Sequence, residues 1–94
     1  MDADIIEILI EESKGIIFAI FISSECPHCT SVEQKMKEIS NQHPDFKMHY
    51  IVNDKQLMKK YSVKFLPTVL TYKDGWLVDA IAGDQDIDRY LKRL

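Results

Sequence analysis

The chain has 94 residues, 46% hydrophobic and 29% charged, with a net charge of −3. That length sets the expectation of one domain, residues 1–94, large enough to bury its own core. The acidic balance excludes a basic nucleic-acid surface, and no apolar run reaches the ~20 residues that a membrane helix needs.

The start, MDADII, is acidic where a secretion signal is basic, so the expected location is the cytoplasm. Asp4 followed by Glu7 forms a capping-box pattern, which predicts a helix over residues 4–14 with Ile5, Ile8 and Leu9 inward and Gly15 at its end. The run IIFAIFI, residues 16–22, is continuously apolar and predicts a central strand buried on both faces. After SSECPHC, the stretch TSVEQKMKEISNQ places Val32, Met36 and Ile39 at helical spacing, with Glu33 and Lys37 paired outside. His43-Pro44 ends that helix.

FKMHYIV, residues 46–52, reads as a further strand. Asn53 or Asp54 can cap a short helix through KQLMKKYS that buries Leu57 and Tyr61. TVLTYK and WLVDAIA flank Asp74-Gly75, a two-residue hairpin signal. Asp86 then opens a last helix with Ile87, Tyr90, Leu91 and Leu94 as its inner stripe. The order predicts an α/β fold with one mixed four-stranded sheet and helices on both faces.

Cys26 and Cys29, the only cysteines, stand where the first central strand passes into its helix. In a reducing compartment a structural bridge is disfavoured, which leaves a redox pair, a metal site or an inert pair. Pro27 suits a first helical turn, so Cys26 falls at a helix N-terminus, where free N–H groups and the dipole favour a thiolate. Cys29 is nearly one turn further on, and His28 between them can add positive charge. An exposed attacking sulfur with a second sulfur to resolve the mixed disulfide is what disulfide exchange requires.

The zinc alternative draws on His43 and His49, which complete a loose Cys-x₂-Cys…His-x₅-His spacing. A zinc finger needs both histidines on one helix, and Pro44 directly follows His43; no metal is expected. His43 and His49 read as surface residues, Trp76 as a strand-packing residue, Lys59-Lys60 as too short for an anion site, and the acidic residues of KDGWLVDAIAGDQD as a solvated face.

With these residues in hand, the chain resembles the thioredoxin superfamily over nearly its whole length. FAIFISSECPHC resembles that family's strand and active-site loop. VKFLPTVLTYKDG resembles its cis-proline segment and hairpin, and AGDQDIDRYLKRL its closing glycine and last helix. The resemblance implies a thioredoxin-like fold lacking the family's first strand, a cis bond before Pro67, and substrate binding by Leu66, Pro67, Thr68 and Gly83. Pro27, His28 and Glu25 would tune the attacking thiol. His28 should outweigh the more exposed Glu25 and make the pair more oxidising than a typical thioredoxin. Ile20 stands where thioredoxins carry a buried aspartate, and Glu25 where they carry a tryptophan.

The function expected is thiol–disulfide exchange with protein substrates: Cys26 attacks, Cys29 resolves, and the redox-active disulfide serves in place of any cofactor. Thioredoxin reductase or glutathione would supply electrons to a monomer that needs neither nucleic acid nor membrane. Two rivals stay open. One is a glutaredoxin-like, glutathione-dependent reductase, although IAGDQD holds only Gly83 where glutaredoxins place paired glycines. The other is a non-catalytic binding module on the same fold.

Overall fold

The computed structural model describes residues 14–93. The helix expected over residues 4–14 and the place of Leu94 on the last helix lie outside the described residues. Seven elements follow: β1 (Ile16–Ile22), α1 (Pro27–Gln42), β2 (Lys47–Val52), α2 (Lys55–Lys60), β3 (Thr68–Lys73), β4 (Trp76–Ala82) and α3 (Asp84–Leu91).

The apolar run of residues 16–22 has a direct topological reason. In the sheet order β2-β1-β3-β4, β1 lies between two partners, parallel to β2 and antiparallel to β3. Strand side chains alternate between faces. Ile17, Ala19 and Phe21 therefore enter one layer with Leu57, Leu70 and Tyr72. Phe18, Ile20 and Ile22 enter the other with Val32, Met36, Val69, Ile87 and Leu91. Helix α2 covers the first face; α1 and α3 cover the second. A strand sandwiched this way has no wet face on which to place a polar residue, and each fully buried Phe or Ile contributes about 1.5–3 kcal/mol.

Asp74 and Gly75 both take positive φ, 52° and 87°, the pair of values that a tight hairpin with matching twist needs. Asp74 also accepts a hydrogen bond from the Gly15 N–H at 2.7 Å, tying the hairpin tip to the mouth of β1. Asp54, not Asn53, caps α2 by accepting from the Leu57 N–H at 3.0 Å. Strand β2 begins at Lys47, one residue later than expected, because Phe46 turns inward to meet Phe18 edge-on at 5.7 Å. Among the described residues, β2 pairs with β1 alone and forms one edge of the sheet.

Two expectations need correction. The last helix starts at Asp84, two residues before Asp86, since the Gly83 carbonyl accepts the first helical bond from the Ile87 N–H at 3.0 Å. Trp76 does not pack in the strand: it is 78% exposed, as it opens edge strand β4 directly after the turn.

Candidate active site

The loop from β1 to α1 is held from below. Asn53, at φ 55° after β2, accepts from the Ser24 N–H at 3.1 Å and donates its amide to Ser24 Oγ at 3.0 Å. Its own N–H donates to the Ile22 carbonyl at 3.1 Å, so the ends of the parallel strands and the loop above them form one unit. Ser23 Oγ accepts from the Glu25 N–H at 3.2 Å, and Glu25 points into solvent.

Cys26 is the N-cap residue of α1 in extended conformation (φ −101°, ψ 109°), and Pro27 occupies the first helical position. The Cys26 side chain makes no capping hydrogen bond to a backbone N–H, and Pro27 brings no N–H to the first turn. Cys26 is half-buried, whereas Cys29, one turn on, is only 2% exposed. The Cys29 N–H donates to the Cys26 carbonyl at 3.1 Å, and both thiols are free. Cys29 packs with Ile20, Val32, Met36 and Val69. Burial pushes its thiol up to about 11; the hydrogen bond to Cys26 and the charges of Cys26 and Glu33 push the same way, against a backbone hydrogen bond at Ser23.

That shift has a sign for stability. The folded thiol keeps its proton above the ordinary value of 9.0, so its contribution is complete below about pH 9 and is lost as pH rises towards 11. Melting the reduced protein across this interval should show a loss of up to about 2–3 kcal/mol from this group. Tyr50 and Tyr90, also raised by burial, add to the alkaline slope. Cys29→Ala should flatten the slope; an unchanged slope would assign it to the tyrosines alone.

The Leu66–Pro67 peptide bond is cis, and Pro67 is buried. Leu66 is half-buried and packs against the cluster that holds both cysteines. Thr68 and Gly83, both expected at the substrate site, have polar groups engaged within the fold. Thr68 is buried, with Oγ1 donating to the Phe65 carbonyl at 2.6 Å, and the Gly83 N–H donates to the Pro67 carbonyl at 2.9 Å. Their polar groups brace the proline loop from inside, which leaves Leu66 and the exposed Phe65 ahead of it as the accessible side chains. A hollow of about 510 Å³ adjoins the cysteine loop, lined by Glu25, Asn53, Lys55, Met58 and Leu66 among others.

His28 does not stand as a lone charge beside Cys26. Its Nδ1 lies 3.0 Å from Asp84 Oδ2, and the ring is 70% exposed. Asp84 belongs to the stretch read as a solvated acidic face, and its engagement with the motif corrects that reading. The expectation that His28 simply outweighs Glu25 omitted this second carboxylate. Asn53, Phe65 and Asp84 were the site residues that sequence reasoning missed; only the Gly83-Asp84 step after a strand offered a signal for any of them.

His43 stacks on Phe46 at 4.5 Å near the far end of α1, and His49 lies on β2, lowered from its usual pKa by burial and by Lys47. Among the described residues no three His, Cys, Asp or Glu side chains gather into a group that could hold a metal ion. Among them, too, no helix is long and apolar enough to cross a membrane.

A half-buried cysteine at a helix start, a buried cysteine one turn on and a cis-proline loop whose Leu66 packs against their cluster define a thioredoxin-fold site. The thioredoxin-like domain family matches residues 1–94, and the chain belongs to it. Thioredoxin of Methanocaldococcus jannaschii is 27% identical over 78 residues, covering 80% of this chain and 92% of that protein. Thioredoxin-2 of Pyricularia oryzae is 29% identical over 76 residues, covering 77% of this chain but only 43% of the fungal protein. Among solved structures, oxidised thioredoxin O2 of Arabidopsis thaliana superposes with a TM-score of 0.84 at 20% identity, covering 96% of this chain and 81% of that one.

Proposed function

We propose that this protein exchanges its Cys26–Cys29 dithiol and disulfide with those of protein substrates. The observation that carries the reading is the asymmetry of the pair: one sulfur accessible at a helix N-terminus, the other 2% exposed and adjacent. In the reducing direction the Cys26 thiolate attacks a substrate disulfide and one substrate sulfur leaves as thiolate, taking a proton from solvent. Cys29 then loses its proton and attacks Cys26 Sγ. The second substrate sulfur departs, and two electrons have passed from the pair to the substrate. The reverse sequence oxidises a substrate dithiol.

The exchange runs on the two sulfurs, and the reading needs no metal or organic cofactor. The extended substrate chain would lie along the backbone at Leu66, with its flanking side chains over Phe65 and the hollow by Lys55. Thioredoxin reductase or glutathione is the proposed electron source, and the cytoplasm the proposed compartment, where the resting pair would be reduced.

Insulin reduction tests the reading. The wild type should accelerate precipitation of the insulin B chain with dithiothreitol as bulk reductant, and Cys26→Ser should abolish the acceleration. Replacing dithiothreitol first with thioredoxin reductase and NADPH, then with glutathione, identifies the electron source. A wild type no faster than dithiothreitol alone would leave a binding module on a thioredoxin fold.

A further inference from the structure

The pairing of His28 with Asp84 spans 56 positions of sequence and joins the first turn of α1 to the first residue of α3. A carboxylate oxygen can only accept, so at 3.0 Å the proton of this contact sits on Nδ1. In the neutral ring, Nε2 is then an acceptor, on a side chain open to a visiting molecule. Asp84 is itself fixed: Oδ1 accepts from the Gln85 N–H at 3.0 Å, while Oδ2 faces the histidine. Asp86, the other acid of that turn, is drawn away to Arg89 at 3.5 Å. On its own segment the ring is flanked by Glu25, Cys26 and Cys29. The core beside Cys29 holds Ile20 and other apolar side chains, and the half-buried Glu33 on the same helix acts on Cys29 through its charge.

From this geometry we infer that His28 Nε2 exchanges the proton of the substrate thiol during disulfide exchange, and that Asp84 is the positioning residue that fixes its ring and tautomer. The inference rests on the thiol–disulfide reading above. When a substrate thiol meets the oxidised protein, Nε2 takes its proton and the substrate sulfur bonds to Cys26 Sγ. The Cys26–Cys29 bond breaks, and Cys29 leaves with the electron pair and takes a proton from solvent. The imidazolium returns its proton to solvent. In the opposite direction the protonated ring delivers that proton to the departing substrate sulfur. A cysteine or serine nucleophile activated by a histidine that a third group orients follows the same logic, here applied to the visiting thiol.

The size of the effect has a ceiling. A thiol with an ordinary pKa of about 8.5 is roughly 3% thiolate at pH 7, so base assistance can gain at most about thirtyfold. A more acidic thiol, already ionised, gains less. The experiment measures reduction of the oxidised protein at pH 7 by glutathione and by trifluoroethanethiol, in wild type, His28→Gln, Asp84→Asn, Asp84→Glu and the His28→Gln/Asp84→Asn double variant. The ratio of the glutathione rate to the trifluoroethanethiol rate should fall about five- to tenfold in both single loss variants. The double variant should fall no further, and Asp84→Glu should recover most of the ratio.

Equal slowing with both thiols, or no change with either, would overturn the inference, because a shifted disulfide potential or a loosened loop acts on both alike. A wild type that reacts with neither thiol faster than oxidised glutathione does would instead remove the thiol–disulfide reading itself.

Discussion

Alkylation of the reduced protein at pH 7 will label Cys26 first and leave Cys29 almost untouched. With its thiol at about 11, Cys29 is ionised at neutral pH to only ~1 part in 10⁴, against roughly 3% for an ordinary exposed cysteine. The stronger nucleophilicity of a more basic thiolate returns about a factor of ten. An exposure of 2% then denies the reagent its approach. The net expectation is a difference of roughly a hundredfold or more. Peptide mapping after a short pulse of iodoacetamide reads it directly. Cys29→Ser should accordingly trap substrates as mixed disulfides on Cys26, visible as species that collapse on addition of reductant. Preferential labelling of Cys29 would exchange the two roles.

Ile20→Asp should act on stability and on chemistry in opposite directions. Ile20 is 0% exposed in β1, between Tyr50 of β2 and Val69 of β3, and shares its cluster with both cysteines. A carboxyl group placed there would be buried in a largely apolar layer, so unfolding free energy should drop by about 3–5 kcal/mol, comparable to other buried charges without an ionic partner. The same carboxyl would stand in the cluster of Cys29, where a base can take the resolving proton. Breakdown of the mixed disulfide at pH 7 should therefore accelerate, by about tenfold or more. In the wild type this step should instead speed up with pH, as more Cys29 becomes thiolate. Urea melts and the lifetime of a Cys26 mixed disulfide with glutathione measure the two effects. A variant as stable as wild type would contradict the packing described for β1. A destabilised variant with unchanged lifetime would mean that the Cys29 proton leaves by a route that bypasses residue 20.

The local code of this chain carried most of its architecture. The apolar run of residues 16–22 could only be a doubly buried strand, because alternate residues of β1 face different layers. Asp74-Gly75 set the hairpin because both positions require positive φ. Pro27 marked the first turn of α1, and with it the place of Cys26. These features are encoded within a few residues of where they act, and the resemblance to thioredoxins rests on the same segments.

The rest was decided in three dimensions. Nothing near Asn53 in sequence says that its side chain will clamp Ser24 rather than cap α2; the parallel pairing of β1 with β2 brings those ends together. The Gly83-Asp84 step after β4 signals a helix start, but nothing near Asp84 in sequence foretells its partner. Its meeting with His28 exists because α3 packs beside α1 on one face of the sheet and begins at Gly83, whose N–H is anchored to the Pro67 carbonyl. Thr68 and Gly83 matched the family's positions, yet the fold turned their polar groups inward, and it left Trp76 in solvent at an edge. Charge and hydrogen-bond partners depend on which distant segments share a surface. That is a property of the sheet order and helix packing, which no short stretch of this sequence contains.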